Sequence, residues 1–154
     1  MRSARKTFRS RLVWGVALAG IAATYLGAGA STASTPTEGT VSDTQPVTSW
    51  GGGPFAAPNA TGEATGAPDC TVPQSCDDFN LHVNTSAAYG STHTLKVDVS
   101  WANSAADFDL YVLDAAGSTV ATSASSADPE EVVLPPATGT YTVRVVPFAP
   151  AGES

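Results

Sequence analysis

Three stretches in the second half of the chain alternate between apolar and polar residues. They span 94–101, 107–114 and 140–148, and small polar turns separate them. An alternation with a period of two places one set of side chains on a buried face and the other in solvent, which predicts β-strands. Shorter runs extend the pattern at 78–84, 118–122 and 131–134.

Short strands with turn signals between them are typical of β-sandwiches and jelly rolls. Asp114 and Gly117 stand at the first and fourth positions of a type I turn, which joins two of the strands into a hairpin. No helical pattern follows the first 33 residues. We therefore predict an all-β fold, an antiparallel, jelly-roll-like β-sandwich, over residues 69–154.

The first 33 residues have the layout of a secretory signal peptide. Five basic side chains precede an apolar segment over 12–26, and small residues at 28–30 or 31–33 offer a cleavage site. An uncleaved membrane anchor is the alternative, because the segment approaches the length that spans a bilayer. We predict a signal peptide over 1–33 and hence a secreted, extracellular protein.

Residues 34–68 are rich in Thr, Ala, Gly and Pro and contain few large apolar side chains. Such a segment cannot bury enough surface to offset the entropy lost on ordering it. We predict a flexible leader over 34–68, in which a short strand at 46–50 is the one part that could dock on the domain.

The charge of the chain narrows the choice of partners. It has 7 basic and 14 acidic residues, and removal of the predicted signal peptide leaves only Lys96 and Arg144 as basic groups. A chain this acidic repels nucleic acid and anionic lipid. We therefore expect neither of them as a partner. Solubility outside the cell explains the charge, and binding of a divalent cation is the sharper alternative.

Cys70 and Cys76 are the only cysteines of the chain. Two cysteines in a secreted chain most simply pair with each other. No nearby histidine completes a zinc set, and the spacing is not that of a redox-active C-x-x-C pair. We predict a structural disulfide that closes a small loop before the first strand, with a stabilisation of roughly 2 kcal/mol.

The sequence contains no nucleophile elbow, zinc-protease helix or phosphate loop, so we predict no catalytic residues. Asp107 and Asp109 are expected on one strand face about 7 Å apart, a spacing within the range of glycosidase carboxylates. We favour the interpretation that both carboxylates are solvated groups at a sheet edge. Catalysis would require one of them in an apolar pocket, and the sequence indicates no such pocket. Calcium is the better alternative use, since hard cations take carboxylate oxygens. The candidate calcium ligands are Asp77, Asp78, Asp107, Asp109 and Asp114, and no other cofactor is expected.

Tyr111 is the candidate for an exposed ligand contact, such as stacking on a carbohydrate. It shares a predicted strand face with Asp107 and Asp109. Trp101 falls on the apolar face of its strand, so core packing is expected for it. His82 and His93 are predicted to be surface residues.

Several motifs, in this order, resemble the bacterial pre-peptidase C-terminal domain family. They are the acidic start at 76–79, the run 97–101, the Asp-x-Asp-Leu-Tyr strand within 106–114 with its turn at Gly117, the run 130–134, and the Gly-Thr-Tyr-x-Val-x-Val strand at 139–145. The two named strands together are the distinctive part. The resemblance covers 69–148, about half of the chain.

This resemblance implies a non-catalytic, jelly-roll-like accessory module of an extracellular bacterial hydrolase, used for substrate or surface binding or for secretion and maturation. Its partners would be a downstream catalytic domain and a polysaccharide or protein substrate. One alternative is the N-terminal fragment of an exported sialidase-like glycoside hydrolase or peptidase, with its active site beyond residue 154. A free-standing secreted binding protein is the other.

Members of this family usually carry one more alternating strand than this sequence provides. The last residues of the sequence, 149–154, correspond to the turn that would precede this strand. A missing strand would leave an exposed sheet edge, which proteins normally cover. We therefore expect the domain over 69–154 to lack its last strand and the chain to be the N-terminal part of a longer protein.

Overall fold

A computed structural model describes residues 34–55, 57–59, 67–68, 70 and 75–152. The predicted signal peptide over 1–33 lies outside these residues. The described part contains seven strands and one short helix. They are β1 (Glu38–Ser42), β2 (Asp77–Asn84), α1 (Ala87–Gly90), β3 (Leu95–Val99), β4 (Asp107–Leu113), β5 (Thr119–Ser123), β6 (Glu130–Leu134) and β7 (Gly139–Ala149).

The strands form two sheets of unequal width. The wider sheet has the order β1-β2-β7-β4-β5, and the narrower sheet consists of β3 and β6. All pairs are antiparallel except β1 with β2, which is parallel. The predicted all-β, mainly antiparallel sandwich is thus confirmed. Each of the six predicted strands is present, although β3 is shorter than predicted and the short helix α1 lies between β2 and β3.

The core lies between the two sheets and follows from the alternation in the sequence. In β2 the inward residues Phe79, Leu81 and Val83 are buried, while their neighbours face outward. They pack with inward residues of the other strands into one apolar cluster. The cluster also contains Val41, Leu95, Val97, Leu110, Val112, Val132, Leu134 and Val143.

Strand β4 departs from the simple two-face pattern, because it is buried on both faces from Phe108 to Leu113. It is an interior strand between β7 and β5. Its outer face is covered by part of the segment that precedes β2. Ala67 and Cys70 pack there with Cys76 and Tyr111, and a disulfide joins the two cysteines with an S–S distance of 1.98 Å. The predicted disulfide is confirmed.

The segment before residue 69 is part of the fold, so the predicted flexible leader is wrong for its described residues. β1 extends the wider sheet by pairing with β2, from Glu38 opposite Asn80 to Ser42 opposite Asn84. Val41 on this strand is buried in the core. The predicted strand at 46–50 is absent, but this stretch still docks, since Trp50 stacks on Phe79 with ring centroids 4.4 Å apart. The predicted domain boundary at residue 69 therefore falls inside the folded unit.

The outer edge of β3 is open among the described residues. β3 pairs with β6 along one edge only.

No helix in the part of the chain that the structure describes is long and apolar enough to cross a membrane.

Candidate functional site: a groove along the open edge of β3

A groove of about 640 Å³ separates two segments that run along the surface of the sandwich. One wall is formed by 94–101, which is β3 with its flanking residues, and the other wall by 46–52. The wider sheet extends beyond the two-stranded one here, and its inner face provides the floor. Leu81, Phe108 and Val145 contribute apolar side chains to that floor. We refer to this feature as the β3 groove.

Three aromatic side chains line the β3 groove and are each only partly buried. Trp50 stacks on Phe79. Phe55 and Trp101 both pack against Phe108 in a tilted arrangement, with centroid distances of 4.9 and 5.2 Å and interplanar angles of 57° and 55°. Trp101 also donates from Nε1 to the carbonyl of Ala106 at 3.1 Å. Because its nitrogen is held in this way, the Trp101 ring is fixed where it can contact a ligand.

Asp77 is the buried carboxylate of the β3 groove. Its side chain faces inward with those of Phe79 and Leu81 and is completely buried. The hydroxyl of Ser34 donates to Oδ1 at 2.8 Å, whereas Oδ2 has no hydrogen-bond partner among the described residues. Burial raises the pKa of Asp77, an effect that the Ser34 hydrogen bond opposes. The site therefore combines an apolar floor with a carboxylate that can accept a further hydrogen bond.

Gly52 makes room for this carboxylate. A Cβ at residue 52 would collide with Oδ2 of Asp77. A glycine is thus required at the point where the 46–52 wall passes over the carboxylate, since any side chain would displace one or the other.

The neighbouring carboxylate, Asp78, has a different role because it points to the outer face of the sheet. Arg144, directly opposite on β7, donates to it from Nε and Nη2, both at 2.8 Å. The same guanidinium donates from Nη1 to the carbonyl of Pro68 at 3.0 Å. This pair ties β2, β7 and the covering segment together, so Asp78 is a structural residue.

The remaining calcium candidates lie at other places in the sheet. Asp107 and Asp109 stand opposite Ala149 and Val146 of β7, so a register shift in the ladder lies beside these two carboxylates. Asp109 is buried, and Asp114 holds its turn together by accepting from the amides of Ala116 and Ser118. Burial and the nearby Glu130 raise the pKa of Asp107. Within the described ranges, no group of three or more His, Cys, Asp or Glu side chains could hold a metal ion. The geometry therefore gives the calcium hypothesis no support.

Tyr111 is not the exposed contact that the sequence analysis predicted. It is only 2% exposed and belongs to the outer-face cluster with Cys76, Leu113 and Val146. The alternation correctly placed it opposite Phe108 and Leu110, but the outer face of β4 is covered. The expectation failed because the covering segment had been interpreted as flexible.

Glu130 is a buried carboxylate that the sequence analysis did not single out. It accepts from the Ser125 amide at 2.8 Å, from the Ser125 hydroxyl at 2.6 Å and from the Ser123 hydroxyl. These bonds close the loop between β5 and β6. With its oxygens engaged in this way, Glu130 has a structural role.

Phe55 is a site residue that sequence reasoning missed. Like Trp50, it stands in a segment of small and polar residues, where a large aromatic side chain is unusual. That contrast was the one available signal. It could not show which face of which sheet the two rings would cover.

Fold and site together define a small β-sandwich domain with an aromatic-lined groove beside an open strand edge. The model of the family described as bacterial pre-peptidase C-terminal domain matches residues 77–147. The resemblance expected from the sequence motifs is thus confirmed for the region from β2 to β7. Domains of this family are non-catalytic accessory modules and occur in secreted bacterial proteases. No curated protein matches the chain.

Proposed function

We propose that this protein is a non-catalytic binding module that serves an exported bacterial hydrolase. The observation that carries the proposal is the family match over 77–147. The β3 groove supports it, because partly exposed aromatic rings over an apolar floor are typical of surfaces that hold ligands. The module would keep the enzyme close to a polymeric substrate or surface.

Co-sedimentation with insoluble polymers tests this role. The purified full chain is incubated with cellulose, chitin and cross-linked gelatin, and the unbound fraction is measured. We expect saturable retention on at least one of them, without release of soluble sugars or peptides. Retention on none, or release of soluble products, would contradict a non-catalytic binding role.

A pair of aromatic variants shows whether retention depends on the β3 groove. Trp101→Ala removes a ring at the groove. Tyr89→Ala removes a ring that stacks on His93 elsewhere, with centroids 3.7 Å apart. We expect the first variant to weaken retention about tenfold, as loss of an aromatic anchor does, and the second to leave it unchanged. Equal retention of both variants would place the binding surface elsewhere.

A further inference from the structure

The β3 groove runs along the edge of a strand. All eight consecutive residues from 94 to 101 line it. Successive side chains of a strand point to opposite faces, so a cavity above one face would contact only every second residue. Contact with all of them means that the groove follows the backbone of β3 on the side away from β6.

The backbone on this side has no partner in the described part of the chain. β3 forms its ladder with β6 alone, so every second residue directs its N–H and C=O towards the groove. Such a row is a template for pairing with another extended chain.

The opposite wall presents a second unpaired stretch of backbone. Residues 46–52 line the groove without a gap. The only backbone hydrogen bonds of this wall to other described residues link Gly51 with Thr35, at 2.8 and 3.0 Å. The groove is therefore bounded on two sides by main-chain donors and acceptors, with apolar side chains beneath.

We propose that the β3 groove binds an extended peptide segment, which adds to the narrower sheet as a strand beside β3. A peptide in this place forms main-chain hydrogen bonds with β3 and directs alternate side chains onto the floor. The inward side chains are apolar, since they meet Leu81, Phe108 and Val145. A sugar polymer lacks the regular alternation of donors and acceptors that matches a strand edge.

Asp77 adds a charge preference to this recognition. Its carboxylate lies on the groove floor with one oxygen unpartnered among the described residues. Asp77 stands opposite Val145 in the sheet, and Val145 belongs to the apolar cluster against which Val99 and Trp101 pack. A lysine at the inward position near the Val99 end of the peptide meets this carboxylate, so the preferred segment is apolar and alternating with one inward basic residue.

Four synthetic peptides test the proposal with the purified full chain. The first is a capped nine-residue peptide of alternating Thr and Val with one central Val replaced by Lys. The second has Gln in place of Lys, the third is the first with every second amide N-methylated, and the fourth is a scrambled sequence of the same composition. Binding is followed by tryptophan emission, because Trp50 and Trp101 line the groove, and by calorimetric titration.

We expect the lysine peptide to bind saturably and to bind more tightly than the glutamine peptide. The N-methylated peptide should bind at least about tenfold more weakly, because it keeps the side chains but loses main-chain donors. The scrambled peptide should also bind weakly. Undiminished binding of the N-methylated or the scrambled peptide would overturn strand addition.

Asp77→Asn and Asp43→Asn form a matched pair of variants. Asp43 is not among the residues that line the groove, and its carboxylate accepts from the Ser86 amide at 2.9 Å. We expect Asp77→Asn to abolish the preference for lysine over glutamine and to retain binding of the glutamine peptide, while Asp43→Asn preserves the preference. Persistence of the preference in Asp77→Asn would exclude the proposed role of this carboxylate.

Other occupants of the groove would be visible in the same samples. If no peptide binds and sedimentation velocity shows a concentration-dependent dimer, the open edge serves a second copy and the proposal is wrong. If no peptide binds and the protein stays monomeric, it is wrong as well. Polymer retention without peptide binding would leave the accessory role standing and would still refute strand addition.

Discussion

Asp77 and Asp78 are adjacent in sequence, yet the pleat of β2 gives them opposite environments. Asp78 faces outward to the guanidinium of Arg144 and forms two parallel hydrogen bonds with it. Asp77 faces inward, where the Ser34 hydroxyl donates to Oδ1 and Oδ2 has no hydrogen-bond partner among the described residues. A buried carboxylate without a cation destabilises the fold when it is ionised. This cost distinguishes Asp77 from its neighbour.

The pH dependence of stability should reveal the burial of Asp77. Burial raises the pKa of Asp77 in the folded state. As the pH rises from about 4, the Asp77 carboxyl therefore loses its proton in the unfolded chain before it does so in the folded protein. Asp77 therefore lowers the free energy of unfolding as the pH rises through that window. We expect Asp77→Asn to gain stability relative to the wild type from about pH 4 towards neutrality, measured by urea denaturation at a series of pH values.

Asp43 provides a control of opposite sign. Hydrogen bonds from Ser86, whose amide lies 2.9 Å from Oδ1, lower the pKa of Asp43. Its ionised form favours folding, and this contribution is lost as the pH falls through its folded-state pKa. Asp43→Asn should therefore lose stability relative to the wild type as the pH rises. If the free energy of unfolding, relative to the wild type, changed with pH in the same direction in both variants, the pH dependence of Asp77→Asn could not be due to burial of Asp77.

Arg144 should be sensitive even to a conservative replacement. A lysine cannot reproduce the two parallel bonds to Asp78 together with the third bond to Pro68. We expect Arg144→Lys to lower the free energy of unfolding by about 1–2 kcal/mol, as measured by urea denaturation. Lys96→Ala is the control, because its pairs with Asp98 and Glu131 are half-exposed; its effect should stay within about 0.5 kcal/mol. Equal effects would contradict a structural role of the Arg144 pair.

At the scale of residues, sequence alone predicted what depends on local spacing. The disulfide between Cys70 and Cys76 and the inward positions of β2 followed from cysteine count and alternation. The burial of Tyr111 and of Asp77 did not, because each is covered by a segment far away in the sequence. Alternation shows which face a side chain occupies, and the packing of the rest of the chain decides whether that face is exposed.

At the scale of elements, β1 and the 46–52 wall change the extent of the domain. β1 contains one buried apolar residue, Val41, and its parallel partner β2 begins 35 residues after its last residue. A five-residue stretch with a single inward apolar side chain is too weak a pattern to predict as a strand. Its stability comes from the ladder with β2 and from the stacking of Trp50 on Phe79.

Trp50→Ala tests whether this segment contributes to the stability of the sandwich. Loss of a partly buried indole stacked on a core ring should lower the free energy of unfolding by roughly 2–3 kcal/mol. Val47→Ala is the control in the same segment, since Val47 is 75% exposed; we expect a change within about 0.5 kcal/mol. Both are measured by urea denaturation. If Trp50→Ala had an effect as small as that of Val47→Ala, this segment would not contribute to the stability of the sandwich, and the prediction of a flexible leader would be supported.

At the scale of the whole molecule, the unequal widths of the two sheets create the candidate site. Five strands face two, and the uncovered inner surface lies under the β3 groove. The all-β sandwich was predictable, because six strands alternate clearly and turn residues separate them. The groove was not, since one of its walls belongs to a segment whose composition gave no sign of order. Asp77 was predicted as a possible calcium ligand because of its residue type, whereas its place in the groove became visible only in the fold.

Hydrogen exchange along β3, with and without the lysine peptide, tests the central claim most directly. In the free protein, amides of 95–99 that pair with β6 should exchange slowly, and the alternate amides that face the groove should exchange fast. We predict that the peptide protects the fast set and leaves the amides of β5, at the far edge of the wider sheet, unchanged. Unaltered exchange in β3 at saturating peptide, or protection confined to β5, would contradict strand addition at the β3 groove.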